Sequence, residues 1–157
     1  MGTRSGDGMQ VPDARIIADI SPELAWRELA SNPESALVDV RTRAEWSFVG
    51  CADLTETGRR QAFVEWRHFP QLDVNPRFVD DVADRFGSDW PDTLIFICRS
   101  GVRSREAAGV FSQAASDRGR MVRCLNLAGG FEGDLDEESR RGAVNGWKVK
   151  GLPWKQS

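Results

Sequence analysis

The segment Thr93-Leu94-Ile95-Phe96-Ile97-Cys98-Arg99-Ser100-Gly101-Val102-Arg103-Ser104 contains a β-strand pattern followed by a short polar loop. Residues 93–97 are mostly apolar and favour a strand, and residues 105–111 favour a helix. A strand that runs through a loop into a helix is half of a βαβ unit, which indicates an α/β fold with a mostly parallel sheet. Ligands bind such sheets at the carboxyl ends of the strands. Cys98 is therefore predicted to lie at a binding crevice.

The residues around Cys98 favour a reactive thiol. The thiolate is the nucleophilic form of cysteine, and a loop of inward-facing N–H groups before a helix N-terminus stabilises an anion. Arg99 and Arg103 add positive charge, and Gly101 allows backbone conformations that a Cβ forbids. An inert buried cysteine is the simpler alternative, but it needs no such neighbours. The pattern predicts a nucleophile beside an anion-binding loop.

Cys98–Ser104 resembles the active-site loop of rhodanese-like sulfurtransferases. Other segments are similar to that family in the same order: Leu37–Arg41 with Glu45-Trp46, Leu127–Phe131 with its double glycine, Asn145–Trp147 and Gly151–Trp154. The last two resemble the ending of small single-domain bacterial members. The resemblance extends from about Arg15 to Trp154. It implies a three-layer α/β/α domain with a mostly parallel central sheet over residues 13–157, and the glycine-rich residues 1–12 are expected to be a disordered leader.

The resemblance implies a sulfur-transfer mechanism. Cys98 would attack the outer sulfur of an anionic donor such as thiosulfate, become a persulfide, and pass the sulfur to cyanide, a thiol or a protein cysteine. The substrate-binding residues would be Arg99, Ser100, Gly101, Val102, Arg103 and Ser104. Their N–H groups would hold the persulfide, while the two arginines would bind the anionic end of the donor. No metal or organic cofactor is implied.

Asp39 and Arg41 are predicted supporting residues, because a carboxylate at the end of a buried strand needs a partner. They could pair locally or brace the Cys98 loop. The chain also departs from the family where many members have Gly-His-Ile-Pro-Gly-Ala. It has Gly50-Cys51-Ala52 and then an extra polar stretch, residues 53–61, of which residues 56–60 are interpreted as a solvated loop. Cys51 could resolve a persulfide on Cys98, although a small buried residue is the favoured interpretation.

Two other functions compete with sulfur transfer. In cysteine-dependent phosphatases and arsenate reductases, five residues follow the cysteine and an arginine comes next. Counted from Cys98, this chain has Ser104 at the position of that arginine. A non-enzymatic regulatory or persulfide-carrier module is the second alternative. Some family members carry another cation where this chain has Ser100. The identity of the sulfur donor is therefore not fixed by the sequence.

Composition limits the remaining functions. The chain has 157 residues and a net charge of -3, which does not fit general binding to nucleic acid or anionic membranes. Its three cysteines are widely spaced, which favours a reducing compartment, and a cytoplasmic location is expected. His68 is the single histidine and no CxxC pair occurs, so no zinc site is predicted. No signal peptide or membrane span is predicted, and the oligomeric state is left open.

Several helix boundaries are also predicted. Ser21 and Pro22 should begin one helix, and Thr42 with Glu45 should form a capping box that opens another. That second helix is expected to present Trp46, Phe48 and Val49 to the core. Near the C-terminus, Trp147 and Trp154 are expected to pack the tail against the domain.

Overall fold

Short strands and helices alternate along the chain. In the computed structural model, which describes residues 16–157, the elements in chain order are β1 (Ala18–Ile20), α1 (Pro22–Ser31), β2 (Ser35–Asp39), α2 (Arg43–Phe48), β3 (Cys51–Ala52), β4 (Arg60–Phe63), β5 (Arg67–His68), β6 (Asp73–Val74), α3 (Phe78–Phe86), β7 (Thr93–Ile97), α4 (Val102–Asp117), β8 (Arg123–Leu127) and β9 (Trp154–Lys155). The predicted leader, residues 1–12, lies outside the described residues.

A five-stranded sheet in the order β1-β8-β7-β2-β4 forms the centre of the domain, and all its neighbouring strands are parallel. β7 lies in the middle, with Ile97 opposite Asp39 of β2. The carboxyl ends of these strands therefore meet at one edge, where Cys98 follows β7. All five residues of β7 are buried, as in a parallel sheet covered on both faces.

Helices cover both faces of the sheet. Leu94 and Phe96 pack into one apolar core, and Ile95 and Ile97 pack into a second core on the opposite face. This separation follows from the alternation of side chains along a strand. The predicted three-layer α/β/α fold is confirmed.

The helix caps follow the sequence. The Ser21 side chain accepts a hydrogen bond from the Leu24 N–H, and Pro22 occupies the first turn of α1. Thr42 and Glu45 form the predicted capping box. The predicted packing of Trp46, Phe48 and Val49 against the core is wrong for Phe48, which is 82% exposed, whereas Val49 is half-buried against the second core. Trp46 and Phe48 are two positions apart, so a helix cannot place both on one face.

The polar stretch 53–61 is only partly a loop. Arg60 and Gln61 begin β4, the edge strand that pairs with β2. An edge strand carries polar side chains where it faces water, which hides its strand character in the sequence. None of the helices in residues 16–157 is both long and apolar enough to cross a membrane.

The C-terminal segment packs on the domain. Trp147 is fully buried, and its Nε1–H donates to the Pro153 carbonyl at 2.7 Å. β9 pairs with β3 in antiparallel orientation. Trp154 is 38% exposed and contacts the edge of Phe131. Residues 147–155 thus close one face of the second core.

Candidate active site

Cys98 lies directly after the central strand, and only 1% of its surface is exposed. Its Sγ accepts hydrogen bonds from the Gly101 N–H and from the Ser104 hydroxyl, each at 3.1 Å. One donor belongs to the loop backbone and the other to the first turn of α4. Both favour negative charge on the sulfur.

Gly101 sets the entry into α4. It is the N-cap residue with φ of 112°, in the left-handed region that favours glycine. The helix begins at Val102, three residues earlier than predicted, so its N-terminal turn reaches the cysteine loop. The partial positive charge of a helix N-terminus adds to the two donors at the Cys98 sulfur.

Asn126 in β8 is a site residue that the sequence analysis missed. Its Oδ1 lies 2.5 Å from Ser104 Oγ, and its Nδ2 donates to the Gly101 carbonyl at 3.2 Å and to Asp19 Oδ1 at 3.0 Å. One amide therefore positions both groups that donate to Cys98. The Ser104 hydroxyl carries one proton, so it donates either to the sulfur or to Asn126. An asparagine amid the apolar residues of β8 was the available signal.

Arg103 lies in the first turn of α4, and its guanidinium is paired with Glu45. Two hydrogen bonds of 2.9 Å join them. Burial opposes ionisation of Glu45, but the hydrogen bonds from Arg103 and from the Thr42 N–H outweigh it and lower the pKa of Glu45 to about 2. Arg103 was predicted to bind the donor, yet in the structure its charge already has a carboxylate partner.

Arg99 differs from Arg103. Its side chain is exposed, and within residues 16–157 it forms no ion pair. It borders an open cleft of about 690 Å³ beside the cysteine loop. Ser100, Gly101 and Val102 border a different, smaller opening of about 380 Å³. The predicted anion-binding residues therefore lie on two sides of the loop. Of the two predicted arginines, Arg99 is the one whose charge is not already paired with a carboxylate in the described part of the chain.

Asp39 and Arg41 form a buried ion pair. Arg41 Nη2 is 2.7 Å from Asp39 Oδ2 and also donates to the Gly50 carbonyl. The guanidinium lies 4.4 Å from the centre of the Phe131 ring, and the Phe131 N–H donates to the Cys98 carbonyl at 2.7 Å. The pair is local and, through Phe131, it also supports the backbone of the cysteine loop.

The double glycine after β8 approaches the same loop. Gly130 has φ of 65°, and a Cβ there would lie 2.5 Å from the backbone of Cys98 and Arg99. Real Cβ atoms do not approach backbone atoms so closely. Only glycine allows the turn to pack directly beneath the cysteine loop.

The other candidate residues lie outside this arrangement. Cys51 is half-buried in β3, and burial together with the charge of Asp39 raises its pKa, which disfavours its thiolate. His68 is exposed and its Nδ1 contacts Glu65. Within residues 16–157, no group of three or more His, Cys, Asp or Glu side chains is placed to hold a metal ion.

A parallel α/β sheet with a cysteine loop at its carboxyl edge defines a class of proteins that bind anions beside a thiol. Residues 21–137 match the rhodanese-like domain. The chain therefore belongs to the rhodanese-like domain family.

Three individual proteins are similar to this chain. The crystal structure of Rv0390 from M. tuberculosis is 41% identical, with a TM-score of 0.77 over 91% of this chain and 100% of that chain. An uncharacterised protein of Rickettsia conorii is 32% identical over 88% of this chain and 97% of its own length. The As-Sb reductase of Leishmania major is 18% identical, with a TM-score of 0.51 over 80% of this chain and 92% of its own, and it shares the fold alone.

Proposed function

We propose that the protein is a sulfurtransferase that carries a sulfane sulfur on Cys98. The observation that supports this most is the position of Ser104. A phosphate-binding cysteine loop would have arginine there, whereas Ser104 is fully buried and hydrogen-bonded to Cys98 Sγ. The loop therefore supplies donors to sulfur and no guanidinium for a tetrahedral phosphate at that position.

The reaction proceeds in two balanced steps. The Cys98 thiolate attacks the terminal sulfur of a donor such as thiosulfate, an S–S bond forms, and sulfite leaves with the electron pair of the broken bond. The persulfide anion then gives its outer sulfur to a nucleophile such as cyanide, a thiol or a protein cysteine, and the Cys98 thiolate is restored. Covalent catalysis divides one difficult transfer into two easier ones.

Residues of this chain stabilise both steps. The Gly101 N–H and the Ser104 hydroxyl stabilise the charge on Cys98, and Asn126 orients these two groups. Arg99 attracts the anionic donor. Arg103 acts through its pair with Glu45, which fixes α2 against the loop. No proton needs to be transferred when thiolate and donor anion both react in their ionised forms.

Partner and compartment are part of the proposal. The acceptor is a thiol or a protein cysteine in the cell. The three cysteines of the chain are widely spaced in the sequence, which favours a reducing compartment such as the cytoplasm.

Intact mass spectrometry tests the function. The wild-type protein incubated with thiosulfate should gain one sulfur atom and lose it again when cyanide is added. Cys98→Ser should gain none. Cys51→Ser is the matched control, because it removes a thiol outside the loop and should still gain the sulfur. Absence of the gain with every sulfane donor, together with hydrolysis of an aryl phosphate, would overturn the proposal in favour of a phosphatase.

A further inference from the structure

Asp19 in β1 is connected to the hydrogen-bond network of Cys98 through Asn126. In the register of β1 with β8, Asp19 is the partner of Asn126, so the two side chains project to the same face of the sheet. The Asn126 Nδ2 donates to Asp19 Oδ1 at 3.0 Å. The same oxygen accepts from Arg105 Nη2 of α4 at 2.7 Å. One carboxylate oxygen thus has two donors, a buried amide and a guanidinium at the surface.

Asp19 is ionised at neutral pH. Burial opposes its ionisation, but the hydrogen bonds from Arg105 and Asn126 outweigh burial and lower the pKa of Asp19 below its ordinary value. The Asp19 side chain is 47% exposed, whereas Asn126 is 1% exposed, so the network extends from the surface of the domain inwards. An ionised carboxylate has no proton to donate, and it therefore acts on the Asn126 amide as an acceptor only.

Three partners set the orientation of the Asn126 amide. The Asp19 carboxylate and the Gly101 carbonyl can only accept hydrogen bonds, so both must face the amide nitrogen. The amide oxygen is left for the Ser104 hydroxyl, whose oxygen is 2.5 Å away. Rotation of the amide by half a turn would place its oxygen against two acceptors, which is unfavourable. Two acceptors therefore fix which atom of Asn126 meets Ser104.

We propose that Asp19 is a positioning residue for Cys98, which acts by fixing the orientation of the Asn126 amide. The inference rests on the proposed sulfurtransferase function. The oriented amide restrains Gly101 and Ser104, whose backbone N–H and hydroxyl donate to the Cys98 sulfur. Both donors have to be in place when the thiolate attacks, because electrostatic stabilisation depends on groups that are oriented before the reaction.

Water can replace the Asp19 carboxylate but cannot hold the amide in one orientation. An opening of about 380 Å³ borders Asp19, Gly101 and Asn126. In Asp19→Ala, water in this opening would satisfy the free N–H of Asn126, so we expect the domain to stay folded. A mobile water would let the amide rotate, and its oxygen would then oppose the Gly101 carbonyl. The Gly101 N–H would lose its alignment with the sulfur.

Single-turnover uptake of sulfur from thiosulfate, followed by mass spectrometry over a range of donor concentrations, tests the inference. In Asp19→Ala the maximal rate constant should fall about fivefold to tenfold, the effect of one hydrogen bond. The donor concentration that gives half of this rate should not change, because Arg99 borders the cleft on the other side of the loop. Unfolded protein lowers the amplitude of uptake and leaves the rate constant of the folded molecules unchanged.

Asp19→Asn is the conservative variant, and Arg105→Gln is the matched control. Asparagine keeps an oxygen that can accept from Asn126, so Asp19→Asn should react within about twofold of the wild type. Arg105→Gln removes the ion pair between β1 and α4 but keeps the contact between Asp19 and Asn126. It should also react within about twofold of the wild type, because an exposed ion pair contributes little.

Four outcomes would contradict these expectations. A wild-type rate constant in Asp19→Ala would overturn the inference. So would an equal loss in Asp19→Asn, which would mean that the charge matters and not the acceptor oxygen, or an equal loss in Arg105→Gln, which would mean that Asp19 only joins β1 to α4. An unchanged maximal rate constant with a higher half-saturating concentration would assign Asp19 to donor binding instead. Failure of the wild type to form persulfide with any donor would overturn the sulfurtransferase function itself.

Discussion

The guanidinium of Arg103 forms a two-point salt bridge with the carboxylate of Glu45, and both side chains are less than one-fifth exposed. Glu45 also accepts from the Thr42 N–H, which completes the capping box of α2. One carboxylate thus joins the start of α2 to the first turn of α4. This ion pair and the edge contact between the rings of Trp46 and Phe63 hold the short helix α2 on the domain.

We expect this salt bridge to make the free energy of unfolding depend on pH. The folded-state pKa of Glu45 is about 2, below its ordinary value of 4.5, so its stabilisation is complete above pH 4.5 and is lost as the pH falls towards 2. At pH 7, Glu45→Gln should lose roughly 2–3 kcal/mol of the free energy of unfolding.

Urea unfolding at pH 7 and at pH 3 measures this effect. The difference between the wild type and Glu45→Gln should shrink at the lower pH. Glu56→Gln removes an exposed carboxylate and should match the wild type at both values. An equal deficit of Glu45→Gln at both pH values would contradict the role given to ionised Glu45.

The Ser104 hydroxyl is expected to accelerate persulfide formation. Ser104→Ala removes one of two donors to Cys98 Sγ, so the rate of sulfur uptake should fall roughly tenfold to a hundredfold. Single-turnover uptake of sulfur, followed by mass spectrometry, gives this rate. Ser112→Ala makes the same change two turns along α4 and should react like the wild type. Normal uptake by Ser104→Ala would show that the hydroxyl serves only the fold.

A methyl group at Gly130 should disturb the cysteine loop. Gly130→Ala places a Cβ 2.5 Å from backbone atoms of Cys98 and Arg99 and should cost about 2–4 kcal/mol. Gly119→Ala also has a positive φ but meets no atom within 4 Å, so only backbone strain of about 1 kcal/mol applies. Thermal unfolding compares the two variants, and equal losses would refute a specific clash at Gly130.

Trp147 should stabilise the domain far more than Trp154. Trp147 is fully buried in the second core, and its replacement by alanine should cost about 3–5 kcal/mol. Trp154 is 38% exposed, so Trp154→Ala should cost less than half as much. Denaturant unfolding of both variants provides the comparison. A larger loss for Trp154→Ala would mean that pairing of β9 with β3 matters more than burial of Trp147.

Part of the architecture was predictable from local patterns. The strand before Cys98, the capping box at Thr42 and the start of α1 at Ser21 each depend on residues within a few positions of one another. The inward burial of Phe48 was a wrong prediction, because two apolar residues at a spacing of two satisfy a strand and not a helix. β4 was missed because its polar residues lie at a sheet edge.

Local patterns of residues were sufficient to predict the parallel α/β class, the position of Cys98 after the central strand and the resemblance of its loop to the rhodanese-like family. These properties reside in hydrophobic periodicity and in contiguous motifs. Three features became visible only in the folded chain: Arg103 is paired with Glu45, 58 positions away, Asn126 orients Ser104, and apolar side chains gather beside Arg99. Such contacts join distant segments, and their partners are fixed by packing, which no local pattern of residues encodes.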